Sequence, residues 1–163
     1  NLAANSGNLD EALELMNKLL AEETDPQARL PYIRQNFRFL LKHDEPRAYA
    51  FARSMLDGEL KDNAYGLHLL ATSIIAETDL KSPDRALTVD LAARAADLAE
   101  PANAAVHETL GRARFAAGDI PGAISAAEAA LAAMKLPEAK SSAPAIARVQ
   151  KQLDDYRAAA DAR

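Results

Sequence analysis

The side chains best suited to chemistry in this chain are three histidines, a scatter of carboxylates and a row of cations. Imidazole serves as general acid, general base or metal ligand near neutral pH, so His43, His68 and His107 are the first candidates. His107-Glu108 opens like a zinc-protease motif, in which a second His four positions on completes a metal-binding helix face, but Gly111 holds that position. The three lie far apart in sequence on different elements and read as exposed or groove-lining. The six glycines fall singly, none after a strand pattern, so there is no phosphate loop and no dinucleotide fingerprint. No Ser sits in a nucleophile elbow. The absence of Cys removes thiolate nucleophiles, disulfides, Cys-ligated zinc and iron–sulfur clusters together. Most carboxylates have a Lys or Arg three or four positions away, the pattern of a solvated helix face. The expectation is a chain with no catalytic residues, no metal site and no cofactor.

The cations suggest recognition instead. Leu30, Ile33, Phe37, Leu40 and Leu41 recur at helical spacing, which sends Arg34, Arg38 and Lys42 together to the polar side at i, i+4 and i+8. Guanidinium groups pair with carboxylates bidentately, so this row suits a carboxylate or an acidic peptide. The corresponding face of later helices is expected to carry His68 and Thr72, then Glu108 and Arg112, with Tyr65 and Phe115 flanking them. The plainer alternative is a solubilising face in which Glu108 and Arg112 pair with each other. Six of the eight aromatic residues, Tyr32, Phe37, Phe39, Tyr49, Phe51 and Tyr65, fall between positions 32 and 65. Phe37 and Phe51 suit inward stripes, so this segment is expected to hold the best-packed part of the core; Phe39 and Tyr49 are harder to bury on the same phase, and the alternative for them is contact with a neighbouring domain or second copy.

These residues need elements to position them, and composition points to helices alone. Alanine makes up nearly a quarter of the 163 residues and carries the lowest cost of any residue in a helix. Val and Ile are few and stand at helical rather than alternating spacing. Eight prolines, Pro26, Pro31, Pro46, Pro83, Pro101, Pro121, Pro137 and Pro144, are each expected at a helix start or in a connection. Asp44, Ser82, Asp84 and Asp119 stand nearby at N-cap distance. Eight helices are predicted after a stub at 1–5: 8–22, 27–42, 45–57, 62–77, 84–99, 103–117, 120–134 and 144–160. Short connections fold such helices back as antiparallel hairpins.

Hairpins in series call for a search for a period. Gly7-Asn8-Leu9-Asp10-Glu11-Ala12-Leu13 and Gly118-Asp119-Ile120-Pro121-Gly122-Ala123-Ile124 read as one turn written twice, and His43-Asp44-Glu45-Pro46-Arg47-Ala48-Tyr49 as a degraded third copy. Leu110-Gly111, Phe115, Gly118-Asp119, Ala123, Ala127 and Ala130 follow the order of the tetratricopeptide (TPR) pattern, in which small residues let two helices approach closely. Ala92, Ala96 and Ala99 form another such stripe. Over residues 1–134 the chain thus resembles about three and a half loose TPR repeats, 1–25, 27–57, 62–100 and 103–134. It departs from the family at His107, where a large aromatic is usual, and in the extra residues of 79–90. The resemblance implies an all-α, right-handed solenoid of antiparallel hairpins whose concave face binds protein or peptide. The helix at 144–160, with Ile146, Val149, Leu153 and Tyr156 in a narrow stripe, is expected to cap it. Residues 67–130, from Leu69-Leu70-Ala71 through Asp79-Leu80-Lys81-Ser82-Pro83-Asp84 to His107-Glu108-Thr109-Leu110-Gly111-Arg112-Ala113, are also similar to the C-terminal helical region of some bacterial thioredoxin-fold proteins. That likeness implies an interaction arm whose redox chemistry lies in another domain.

Net charge −5 argues against a nucleic-acid or anionic-membrane partner, since neither basic surface nor bilayer-length apolar run is present. The partners expected are a protein or peptide, an acidic one being the kind that suits the cation row, or else the chain's own preceding domain or a second copy of it. A chain beginning at Asn1 reads as part of something longer, and nothing in it chooses between cytoplasm and periplasm. The competing function is a structural or dimerising appendage with no separate ligand.

Overall fold

The computed structural model describes residues 2–162, with side chains from residue 10 onward. Eight α-helices and no strand are found among the described residues: α1 (Leu2–Glu22), α2 (Pro26–His43), α3 (Glu45–Asp57), α4 (Ala64–Ala76), α5 (Arg85–Leu98), α6 (Ala104–Ala116), α7 (Ile120–Met134) and α8 (Ala143–Asp161), with a short 3-10 turn at Pro137–Ala139.

Most of the helices begin where a short polar side chain can accept a hydrogen bond from an orphan N–H. Asp25 accepts from the Gln27 N–H at 3.0 Å, Asp44 from Arg47 at 3.1 Å, Asn63 from Gly66 at 2.8 Å, Asp84 from Leu87 at 3.0 Å and Asp119 from Gly122 at 2.9 Å. Pro26, Pro46, Pro121 and Pro144 occupy first-turn positions, where no N–H is needed. Pro31 breaks the expected rule: it lies inside α2, exposed, in the second turn.

A second departure is at the amino end. Gly7-Asn8-Leu9-Asp10 is not a turn, and no stub precedes it; α1 runs unbroken through these positions, with Asn1 outside the described residues. Gly118 has φ +85°, in the left-handed region open to glycine, and Pro121 follows it. The Gly7 segment has no proline, and its Ala, Leu and Glu neighbours sustain a helix against a glycine cost of about 1 kcal/mol.

Consecutive helices pack on one another, and α2 also touches α4, α4 touches α6, and α3 touches α5. Contacts recur at a nearly constant sequence separation. Arg47 pairs with Asp10 across 37 positions, and the Glu45 carboxylate accepts from the Lys81 and Ser82 N–H groups across 36 and 37. Among the even-numbered helices, Gly66 abuts Leu30, Glu108 pairs with Arg148 across 40 positions, and Phe115 stacks on Tyr156 with ring centroids 4.6 Å apart. Early residues thus meet early residues and late meet late, so α2 runs parallel to α4, and α6 to α8.

Two apolar clusters hold this arrangement. The larger runs from α1 to α7 around Leu30, Ile33, Phe37, Leu67, Leu70 and Leu91; the smaller joins α6, α7 and α8 around Ala123, Ala127, Ala130, Val149, Leu153 and Tyr156. Phe37 stacks on Phe51 at 6.4 Å. Tyr49 is buried as well, in keeping with a core role for this aromatic segment; Phe39 is half-buried and lies tilted against His43 with ring centroids 4.7 Å apart. Ala123, Ala127 and Ala130 are buried where α6, α7 and α8 meet, but the approach does not demand glycine. A Cβ on Gly111 would lie 3.4 Å from the Ala123 carbonyl oxygen and 3.7 Å from the Ala126 methyl, ordinary contact distances, so glycine is not required there. Gly66 is the tight crossing: a Cβ would fall 2.8 Å from Leu60 Cδ2 and 3.1 Å from Leu30 Cδ2.

Candidate functional site

Helix α2 places Arg34, Arg38 and Lys42 on its exposed side because Leu30, Ile33, Phe37 and Leu41 anchor the opposite one. The three line an open cleft of about 690 Å³, completed by Met16 from α1, Pro31, Gln35 and Phe39 from α2, and Glu77 and Asp79 from the segment after α4. Two carboxylates therefore face three cations. Most arginines elsewhere are engaged: Arg29 meets Glu59, Arg47 Asp10, Arg53 Asp84, Arg94 Asp62, Arg114 Asp119, Arg148 Glu108 and Arg157 Glu128. Among the described residues, Arg34, Arg38 and Lys42 form no such pair.

The remaining candidates sit further along, over α4, α6 and α8. Tyr65 is exposed at the start of α4, and His68 is half-buried one turn on. Burial pulls the His68 pKa below the usual imidazole value, and the neighbouring Glu108 charge offsets part of that shift. Thr72 is committed to its own helix, donating to the carbonyls of His68 and Leu69 at 2.8 and 3.1 Å. Glu108 does not pair with Arg112. It takes both arms of the Arg148 guanidinium from α8, with Arg148 Nη2 at 2.9 Å from Oε2, and this pairing holds the Arg148 pKa up. Phe115 lies against Tyr156, whose hydroxyl accepts from Gln152 Nε2 at 2.6 Å and whose pKa burial raises. Arg112 is exposed, with its charge felt at Tyr156.

The predicted set thus divides in two. His68, Glu108, Arg112 and Phe115 come together on one face, while the Arg34 row occupies a cleft at the carboxyl end of α2. Sequence reasoning missed Arg148, Gln152 and Tyr156, which complete the first group, and Glu77 and Asp79, which face the second. A signal for part of this was present: His68, Glu108 and Arg148 are spaced by one constant interval, the separation at which parallel helices meet.

His107 is half-buried, and burial lowers its pKa too. No cluster of three His, Cys, Asp or Glu able to hold a metal is found among the described residues, and no described helix is long and apolar enough to cross a membrane. No family model, curated protein or solved structure matches this chain.

Proposed function

We propose that the chain is a protein-interaction module, a right-handed array of antiparallel helical hairpins of TPR-like kind, that takes an acidic peptide along Arg34, Arg38 and Lys42. The observation that carries this reading is the state of those three cations. In a molecule where most arginines are spent on carboxylates, these point into an open cleft with no ion pair of their own. Charge left available in a preformed cleft favours an incoming carboxylate without first breaking an internal contact.

The array reading draws support from the recurring separations and from the parallel pairs α2–α4 and α6–α8. Glu77 and Asp79 on the opposite wall refine the ligand class. Within that class, the best-fitting acidic peptide sets its carboxylates on the three cations and carries a basic residue where it faces Glu77 and Asp79. The resemblance of residues 67–130 to the helical arm of bacterial thioredoxin-fold proteins extends the proposal to a redox domain as partner, which would bring its own cysteines. On this reading the chain binds and does not catalyse.

Fluorescence anisotropy with labelled mixed-charge peptides, with and without an internal Glu-Glu pair, tests the proposal. Arg34→Ala/Arg38→Ala should weaken binding of the Glu-containing peptide at least tenfold, roughly 1.4 kcal/mol, while the helical circular dichroism stays unchanged. Equal affinity of parent and double variant would end this assignment.

A further inference from the structure

Helix α1 buries Leu13 and Leu20 and hydrogen-bonds through Asn17 to Asn36 of α2 at 3.1 Å. Its outer side is apolar as well. Leu15 is 61% exposed and Leu19 43%, and with half-buried Ala12 they form a stripe at i, i+3 and i+7. These are the only exposed large aliphatic side chains among the described residues; the other exposed large apolar groups are Tyr32, Tyr65 and Phe115. Along one margin of the stripe stand Glu11, Lys18 and Glu22, all exposed.

We infer that this stripe pairs with the α1 stripe of a second copy of the chain, antiparallel, about a two-fold axis passing Leu15. The charge pattern selects this occupant. Such an axis sets Leu15 against Leu15 of the second copy and packs each Leu19 on the other copy's Ala12, large against small. It also keeps both charged margins on the same side of the helix pair, because an isologous contact presents identical patches to each other. Lys18 of one copy then lies within about one residue rise, ~1.5 Å along the axis, of the other copy's Glu11, and the pairing occurs twice. In the isolated chain Lys18 has only a loose 3.9 Å contact with Glu22, both strongly exposed, so little is given up. A parallel two-fold pairing would instead set the two charged margins on opposite sides of the helix pair, so that Lys18 would face the apolar Leu19 side of the other copy rather than its Glu11. The helix pair is short and falls below the ~1,200 Å² typical of stable complexes, so the dimer is a weak, concentration-dependent one. This inference is independent of the peptide cleft on α2.

Sedimentation equilibrium of the intact chain over roughly 10 µM to 1 mM, the range suited to a small interface, is the test. The expected result is a mass rising toward twice the monomer. Leu15→Asp should keep the chain monomeric throughout, with circular dichroism and Tm unchanged because the residue is exposed. Lys18→Glu and Glu11→Lys should each weaken association about fivefold, and the double exchange should restore it. A parent chain monomeric at every concentration overturns the inference, as does a dimer that survives Leu15→Asp. Failure of the double exchange to rescue overturns the antiparallel pairing.

Discussion

Around Phe37, helices are held apart by leucine, isoleucine and phenylalanine; around Ala127, they meet through methyl groups. The first region buries Leu30, Ile33, Phe37, Leu67 and Leu70, while the second buries Ala123, Ala127 and Ala130 with Val149, Leu153 and Tyr156 closing it from α8. Large side chains keep helix axes wide and leave re-entrant surface between helix ends, and the clefts at Arg34 and beside Glu45 both belong to this region. Small side chains bring helices close, and α6, α7 and α8 pack as a block. The same all-helical architecture therefore has a cleft-bearing end and a close-packed end.

Exchanging side-chain size between the regions should have the largest effect on stability. Phe37→Ala removes a fully buried ring stacked on Phe51 and should cost about 3–5 kcal/mol in urea unfolding. Ala127→Leu forces extra methylenes into a contact with no room and should cost about 1–3 kcal/mol. If Ala127→Leu were neutral, the second region would not be close-packed and the contrast would fail.

Glycine sharpens the same contrast on a smaller scale. Gly66→Ala introduces a methyl 2.8 Å from Leu60 Cδ2, and should destabilise by about 1 kcal/mol even though alanine favours the helix. Gly111→Ala meets nothing closer than 3.4 Å and should be neutral or stabilising by up to about 1 kcal/mol. Opposite signs in thermal unfolding are the expected readout; a larger loss at Gly111 would mean that the α6–α7 contact has no room even for one methyl.

Much of the fold was legible because its boundaries are written in local chemistry. Asp25, Asp44, Asp84 and Asp119 each cap the helix that follows, so the predicted starts of α2, α3, α5 and α7 fall within one residue of those observed. Gly7-Asn8 misled because its likeness to Gly118-Asp119 does not extend to the proline and positive φ that accompany the turn there. Pro31 misled because helix α2 sustains itself around one missing N–H in its second turn. The candidate site was legible only in part. Periodicity within one helix shows that Arg34, Arg38 and Lys42 share a face, but not that Glu77 and Asp79 stand opposite. The pairing of Glu108 with Arg148 rather than Arg112 depends on which helices run side by side, and a single helix's pattern does not contain that.

Acid offers the gentlest probe, because the histidines of α4 and α6 and the Glu45 carboxylate beside the α3 cleft respond in different windows. Burial lowers the pKa of both His68 and His107, so each is harder to protonate in the folded chain than in the unfolded one. Above about pH 7.5 both states hold neutral imidazole and stability is flat; as pH falls through the unfolded value near 6.5, the unfolded chain binds protons first and stability declines. Glu45 behaves in the other carboxylate sense. The Lys81 and Ser82 N–H groups hold its pKa down, so its contribution persists until the pH drops below about 4.5 and then fades. Thermal unfolding of the parent chain should therefore show a first decline between about pH 7 and 5.5 that His68→Gln/His107→Gln removes. Glu45→Gln should leave that first decline in place and flatten only the more acidic one. A parent curve flat from pH 7.5 to 5.5 would mean that neither histidine is desolvated on folding, and that the face shared by α4 and α6 is as open as the cleft on α2.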